Sequence, residues 1–169
     1  MSELILVRQV ASPSRRKHPG VEPGEDEARS LRSYLRGRRF ETVLTSPEGQ
    51  ARHTAEWAGL KAEVNSELIE WQHPRTSSRR AGDESLREAV DRADRVLRAL
   101  RSVLIDGGDA ALVAHSNFLR ILAARWLTLP VSVMLSSRLT PGSVSILGWR
   151  PGRHALLVWN FSPSSWPPS

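Results

Sequence analysis

The sequence predicts an α/β fold, a three-layer sandwich with a largely parallel central sheet. Three observations predict it. Short apolar runs recur at Leu4–Val7, Thr42–Thr45 and Ala110–Ala114. Segments with a helical apolar period lie between them. Strands that alternate with helices pack as a parallel sheet covered on both faces. A chain of 169 residues fits one domain and can bury a sizeable core. It is read as a domain over 1–160 and a Pro/Ser/Trp tail over 161–169.

The first strand is Leu4–Val7, four apolar residues closed by Arg8. Ser12–Gly24 is a polar loop rich in Pro, Gly, Arg and Lys. Glu25–Arg36 is helical: Ala28, Leu31 and Leu35 share a face, acidic residues fill the first turn, and Gly37 ends it. Thr42–Thr45 is the second strand. Ser46 and Pro47 predict a helix start, with serine as N-cap and proline at the first helical position. Ala51, Thr54, Ala55 and Ala58 form that helix's small-residue face. Leu68–Trp71 is a short extended piece before an irregular loop to Asp83. Glu84–Leu104 carries the clearest helical period, through Leu86, Ala89, Val90, Ala93, Val96, Leu97, Leu100 and Leu104. Gly107–Gly108 breaks the chain before the buried strand Ala110–Ala114, which ends in His115. Asn117–Leu129 is a helix stopped by Pro130, and Asn117 suits its N-cap. Ser143–Trp149 and Ala155–Asn160 pair as a hairpin around Pro151–Gly152.

Composition narrows the function classes. There is no cysteine, which excludes disulfides and thiolate metal sites and is compatible with a cytoplasmic setting. No stretch is long and apolar enough to span a membrane, and MSELILVRQ lacks the layout of a signal peptide. The formal charge is +6, and only Lys17 and Lys61 among the basic residues are lysine. Arginine forks match phosphate and carboxylate, so an anionic ligand is one reading. Scattered, solvated arginines are the other. The arginines are not interleaved with aromatics, which argues against nucleic acid. His18, His53, His73, His115 and His154 show no metal-ligand spacing, and no metal or cofactor is expected.

In a parallel sheet ligands bind at the C-terminal strand ends. Arg8 and His115 stand at such ends, and Ser46 follows one. On these elements five motifs occur in order: Arg8-Gln9-Val10 after the first strand, Ser46-Pro47-Glu48-Gly49-Gln50-Ala51-Arg52-His53-Thr54-Ala55, Leu68-Ile69-Glu70, Gly82-Asp83-Glu84-Ser85-Leu86, and Leu112-Val113-Ala114-His115. Pro141-Gly142-Ser143 follows in the late hairpin. In this order and spacing the chain, from Leu4 to about Asn160, resembles the histidine phosphatase superfamily and its phosphoglycerate mutase-like fold.

The resemblance implies a pocket for a phosphoryl group and also shows where this sequence departs from the pattern. The family's first strand ends in Arg-His-Gly, and its histidine attacks phosphorus. Here that position is Gln9, whose amide nitrogen is delocalised and not basic. A phosphate-binding arginine of the second motif is here Gln50, and Val10 replaces a glycine. Phosphoryl transfer relies on positioning and charge stabilisation, so loss of nucleophile and cation removes the ordinary mechanism. Arg52 and His53 lie off the motif position and are poor substitutes. The resemblance keeps Arg8 as an anion anchor and Glu70 with His115 as an acid–base pair. Gln9, Gln50, Ser12, Arg15, His18, Glu84 and Asn117 complete the candidate ligand-binding set. Arg16 and Lys17 share the substrate loop with Ser12, Arg15 and His18.

Two functions follow as expectations. One is a repurposed enzyme that uses Glu70 and His115 for elimination, cyclisation, isomerisation or hydrolysis on a small anionic or carbonyl-bearing metabolite. The other is a pseudophosphatase that binds a small ligand or a protein. Residual phosphatase action through water or His18 is a third reading. The tail WNFSPSSWPPS packs on its own domain or serves a homodimer through Trp166.

Overall fold

The computed structural model describes residues 2–10, 24–72, 83–151 and 153–165. Ser12, Arg15, Arg16, Lys17, His18, His73, Gly82, Gly152 and Trp166 lie outside these residues.

The strands are β1 (Leu4–Arg8), β2 (Thr42–Thr45), β3 (Glu63–Val64), β4 (Ala110–Ala114), β5 (Val144–Arg150) and β6 (Arg153–Phe161). They form one sheet in the order β3-β2-β4-β1-β5-β6. The pairs β3–β2, β2–β4 and β4–β1 are parallel. β5 runs antiparallel to β1 and forms the hairpin with β6. The helices are α1 (Glu25–Leu35), α2 (Gly49–Trp57), α3 (Leu86–Ile105), α4 (Ser116–Leu127) and α5 (Val131–Leu135).

The alternation of side chains along a strand sorts the core into two layers. Leu4 and Leu6 of β1, with Leu112 of β4, join the core under α3 and α4. Ile5 and Val7, with Val113, join the core under α1 and α2. Central strands covered on both faces read as unbroken apolar runs, which is why LILV and ALV lack alternation. Among the described residues no helix is long and apolar enough to cross a membrane.

Several predicted boundaries move, each for a local reason. Ser46 is not a helix cap. Its N–H still donates to Val113 O at 2.9 Å, which holds it on the sheet, and the helix starts at Gly49. The long helix starts at Leu86, because Ser85 is its N-cap in a capping box with Glu88. Glu84 is therefore outside the helix. His115, not Asn117, is the N-cap residue of α4, and that helix ends at Leu127. Thr128 turns left-handed and the Leu129 N–H reaches back to Ala124 O at 2.9 Å, before Pro130. Within the piece predicted as extended, Leu68 closes a 3-10 turn, Ser66–Leu68, and the chain extends only from Ile69. β3 and α5 were not expected: two and five residues are too short to show a period. Strand β6 runs through Phe161, and a 3-10 turn at Pro163–Ser165 buries Pro163.

Candidate functional site

The C-terminal ends of β1, β2 and β4 bring Arg8, Ser46 and His115 to one edge of the sheet. Backbone bonds continue the ladder past the strands: Gln9 N–H donates to Ala114 O at 2.9 Å. The turn before β5 clamps this edge. Gly142 N–H reaches Arg8 O at 3.1 Å, and Arg8 N–H reaches Ser143 O at 3.0 Å. Gly142 has φ +69°, and a Cβ there would lie 3.2 Å from Glu27 Cβ, so glycine suits this close turn.

His115 is buried. Its Nε2 donates to Glu48 Oε2 at 2.5 Å and lies 3.2 Å from Ser46 Oγ. The same Glu48 oxygen accepts from Glu70 N–H at 3.1 Å and from Ser46 Oγ at 3.3 Å. Hydroxyl and carboxylate thus converge on one ring nitrogen. A serine nucleophile oriented through the other ring nitrogen would need a different arrangement.

Glu70 serves the start of α4. Its Oε1 accepts from Phe118 N–H and Trp71 N–H, both at 2.9 Å, and its Oε2 accepts from Asn117 N–H at 3.2 Å. The first N–H groups of a helix lack internal partners, and a carboxylate there also meets the positive end of the helix dipole. A carboxylate has about four acceptor positions, and the described residues fill three of them.

Two guanidinium groups flank Glu70. Burial holds Arg8 below its ordinary pKa, the charge of Arg120 pushes the same way, and Glu70 pushes back. Burial also lowers Arg120, again opposed by Glu70. Both remain cations, since arginine does not deprotonate in proteins. Arg8 Nη1 donates to Leu139 O. Arg120 Nη1 donates to Asn117 Oδ1 at 3.2 Å, and Asn117 Nδ2 donates to Trp71 O at 3.1 Å. Among the described residues, Arg8 Nε, Arg120 Nε, Gln9 Oε1 and Ser143 Oγ are buried without a hydrogen-bond partner. Gln9 Nε2 lies 3.5 Å from Gln50 Oε1, so the two amides face one another.

Among the candidates, Arg8, Gln9, Gln50, Glu70, His115 and Asn117 come together at this edge. Glu84 is turned elsewhere, in a two-pronged pair with Arg92 at 2.6 and 2.8 Å. Sequence reasoning missed Glu48, which stood in a variable slot of the second motif. It missed the placing of Arg120 beside Arg8; the signal was Arg120 one helical turn after Asn117. It also missed Arg92, buried in α3, whose Nη1 holds the carbonyls of Glu67 and Ile69 at 2.5 and 2.6 Å. Among the described residues no three His, Cys, Asp or Glu side chains gather as a metal site.

A mostly parallel sheet with helices on both faces and polar groups at the C-terminal ends of its parallel strands defines an α/β protein. More particularly, the family model of the histidine phosphatase superfamily (branch 1) matches residues 56–162, more than half of the chain, and the chain belongs to that superfamily. Arg8, Gln9 and Ser46–Ala55 lie before the matched stretch. The solved structure of open reading frame Rv3214 from Mycobacterium tuberculosis is similar with a TM-score of 0.80 and 22% identity, covering 96% of this chain and 98% of that one. A putative alpha-ribazole-5'-P phosphatase from Escherichia coli K-12 gives 0.73 and 21%, covering 94% and 96%. A histidine-to-alanine mutant of phosphoserine phosphatase from Entamoeba histolytica, in complex with phosphoserine, gives 0.73 and 14%, covering 98% and 100%. At these identities the likeness is one of fold. No curated protein sequence matches the chain.

Proposed function

We propose that this protein has left phosphohistidine chemistry. Its cleft performs acid–base chemistry on a small anionic or carbonyl-bearing metabolite, with His115 and Glu70 handling protons and Arg8 anchoring the ligand. One observation carries the reading: the amides of Gln9 and Gln50 face each other at 3.5 Å, where the resemblance would have a nucleophile and a cation. Neither amide attacks phosphorus, but both donate and accept hydrogen bonds, which suits a carbonyl or amide group. Arg120 beside Arg8 supports an anionic end to the ligand. The reaction class is elimination, cyclisation, isomerisation or hydrolysis without a phosphoenzyme.

A second reading, a non-catalytic binding module, draws on a different observation. Both oxygens of Glu70 already accept backbone N–H groups, so Glu70 does structural work whether or not it moves protons. The Entamoeba phosphoserine phosphatase, with a histidine replaced by alanine, is in complex with phosphoserine.

The test is hydrolysis of a generic aryl phosphate by the natural protein and by a Gln9→His, Gln50→Arg double variant. Turnover by the variant alone is the expected result, at least 100-fold above the natural protein. Efficient hydrolysis by the natural protein overturns the reading and sends the search to another nucleophile, His18 first. Silence from both favours the binding module. A homodimer through Trp166 is a separate proposal, read from the mass in solution.

A further inference from the structure

We propose that Glu48 is a built-in occupant of the cleft's anion site: its carboxylate takes the place between His115, Ser46 and the Glu70 N–H that an external oxyanion would fill. The inference rests on the reading of this edge as the ligand site, and it adds what controls entry.

The donor set is the kind that binds oxyanions. An imidazole N–H, a backbone N–H and a hydroxyl converge on one oxygen, Glu48 Oε2, at 2.5, 3.1 and 3.3 Å. The donors are fixed, because His115 and Ser46 are buried. The acceptor differs from them, because the Glu48 side chain is 42% exposed. A buried donor set facing an exposed carboxylate is the relation of a site to its ligand.

The helix does not explain where Glu48 points. Glu48 is the residue before α2, and its side chain makes no capping bond to that helix. Ser46 Oγ, not the glutamate, accepts from the Glu48 N–H, at 3.4 Å. The next residue, Gly49, has open space where a Cβ would stand. Turning the Glu48 side chain away would therefore break no side-chain cap of α2.

Among the described residues, other polar groups at this edge lack hydrogen-bond partners. Arg8 Nε, Arg120 Nε, Gln9 Oε1 and Ser143 Oγ are buried with no partner among these residues, and Glu48 satisfies none of them. A dianionic phosphate at His115 would touch the Glu48 carboxylate, and like charges at contact repel strongly in a partly dry site. An oxyanion binds at His115 only by expelling Glu48.

The experiment is calorimetric titration with inorganic phosphate at constant ionic strength, using the full chain. Glu48→Ala is expected to bind phosphate at least ten-fold more tightly than the natural protein, and Glu48→Gln more tightly by a smaller factor. Adding His115→Ala to Glu48→Ala is expected to remove the gain, which locates it in this cleft. Equal or weaker binding by the Glu48 variants overturns the proposal, and so does a gain that survives His115→Ala. Cooperative melting verifies that each variant is folded. Should Glu48→Ala not fold, Glu48→Gln, which keeps the side chain's volume, decides alone. Hydrolysis by the natural protein would overturn the functional reading and leave this proposal standing. A missing gain in affinity would do the reverse.

Discussion

Arg92 shows what a single side chain contributes here. Its guanidinium lies buried in α3, pairs twice with Glu84, holds the carbonyls of Glu67 and Ile69, and sits 4.4 Å above the ring of Phe118. Those two carbonyls lead directly into Glu70, so Arg92 positions the segment that starts α4. Removing it leaves a carboxylate and two carbonyls without their donor. Arg92→Met is expected to cost about 3 kcal/mol in urea unfolding, since loss of one partner of a buried pair is expensive. Arg92→Lys should recover only part of this, because an ammonium lacks the planar fork. None of this was legible in the sequence. A periodicity argument tracks apolar residues, and Arg92 beside Ala93 reads as solvent-facing. Glu48 was hidden for a related reason: its role depends on a histidine 67 positions away, which only the fold brings to 2.5 Å. Arg8, His115 and Ser46 were legible because strand ends can be read, and a parallel sheet gathers strand ends.

At the scale of elements, α3 is the helix whose period was clearest, and its start is set by chemistry as much as by pattern. Ser85 Oγ accepts from Glu88 N–H at 3.2 Å while Glu88 Oε2 accepts from Ser85 N–H at 2.7 Å. Ser85→Ala is expected to lower stability by about 1 kcal/mol, measured by urea denaturation, and to leave cleft ligand binding unchanged. The same capping logic failed at Ser46. A serine before proline is a good start signal only where the chain has left the sheet, and Ser46 has not. Its backbone stays on β4 and its hydroxyl faces His115. Local signals therefore gave the existence of these helices, while a tertiary bond decided where α2 begins. β3 and α5, of two and five residues, are too short for a local pattern to mark them.

For the whole molecule, the order of strands sets where stability resides. Leu112 of β4 is fully buried between two paired neighbours, while Leu156 of the edge strand β6 is 37% exposed. Leu112→Ala is expected to cost about 3 kcal/mol and Leu156→Ala under about 1 kcal/mol, both read as shifts in the urea midpoint at constant slope. The α/β class and the two-sided cover were legible as a whole, from uninterrupted apolar strands between amphipathic helices. The strand order was not: nothing in a local pattern says that β1 takes the centre and pairs with β4. That placement has a consequence for synthesis. The ribosome releases β1 before its parallel partner, Ala110–Ala114, which lies about a hundred residues later. At roughly 5–20 residues per second the wait is on the order of 5–20 s. Throughout it the nascent chain carries Leu4-Ile5-Leu6-Val7 with no sheet to enter, an apolar tag of the kind that chaperones hold until the middle of the sheet is complete.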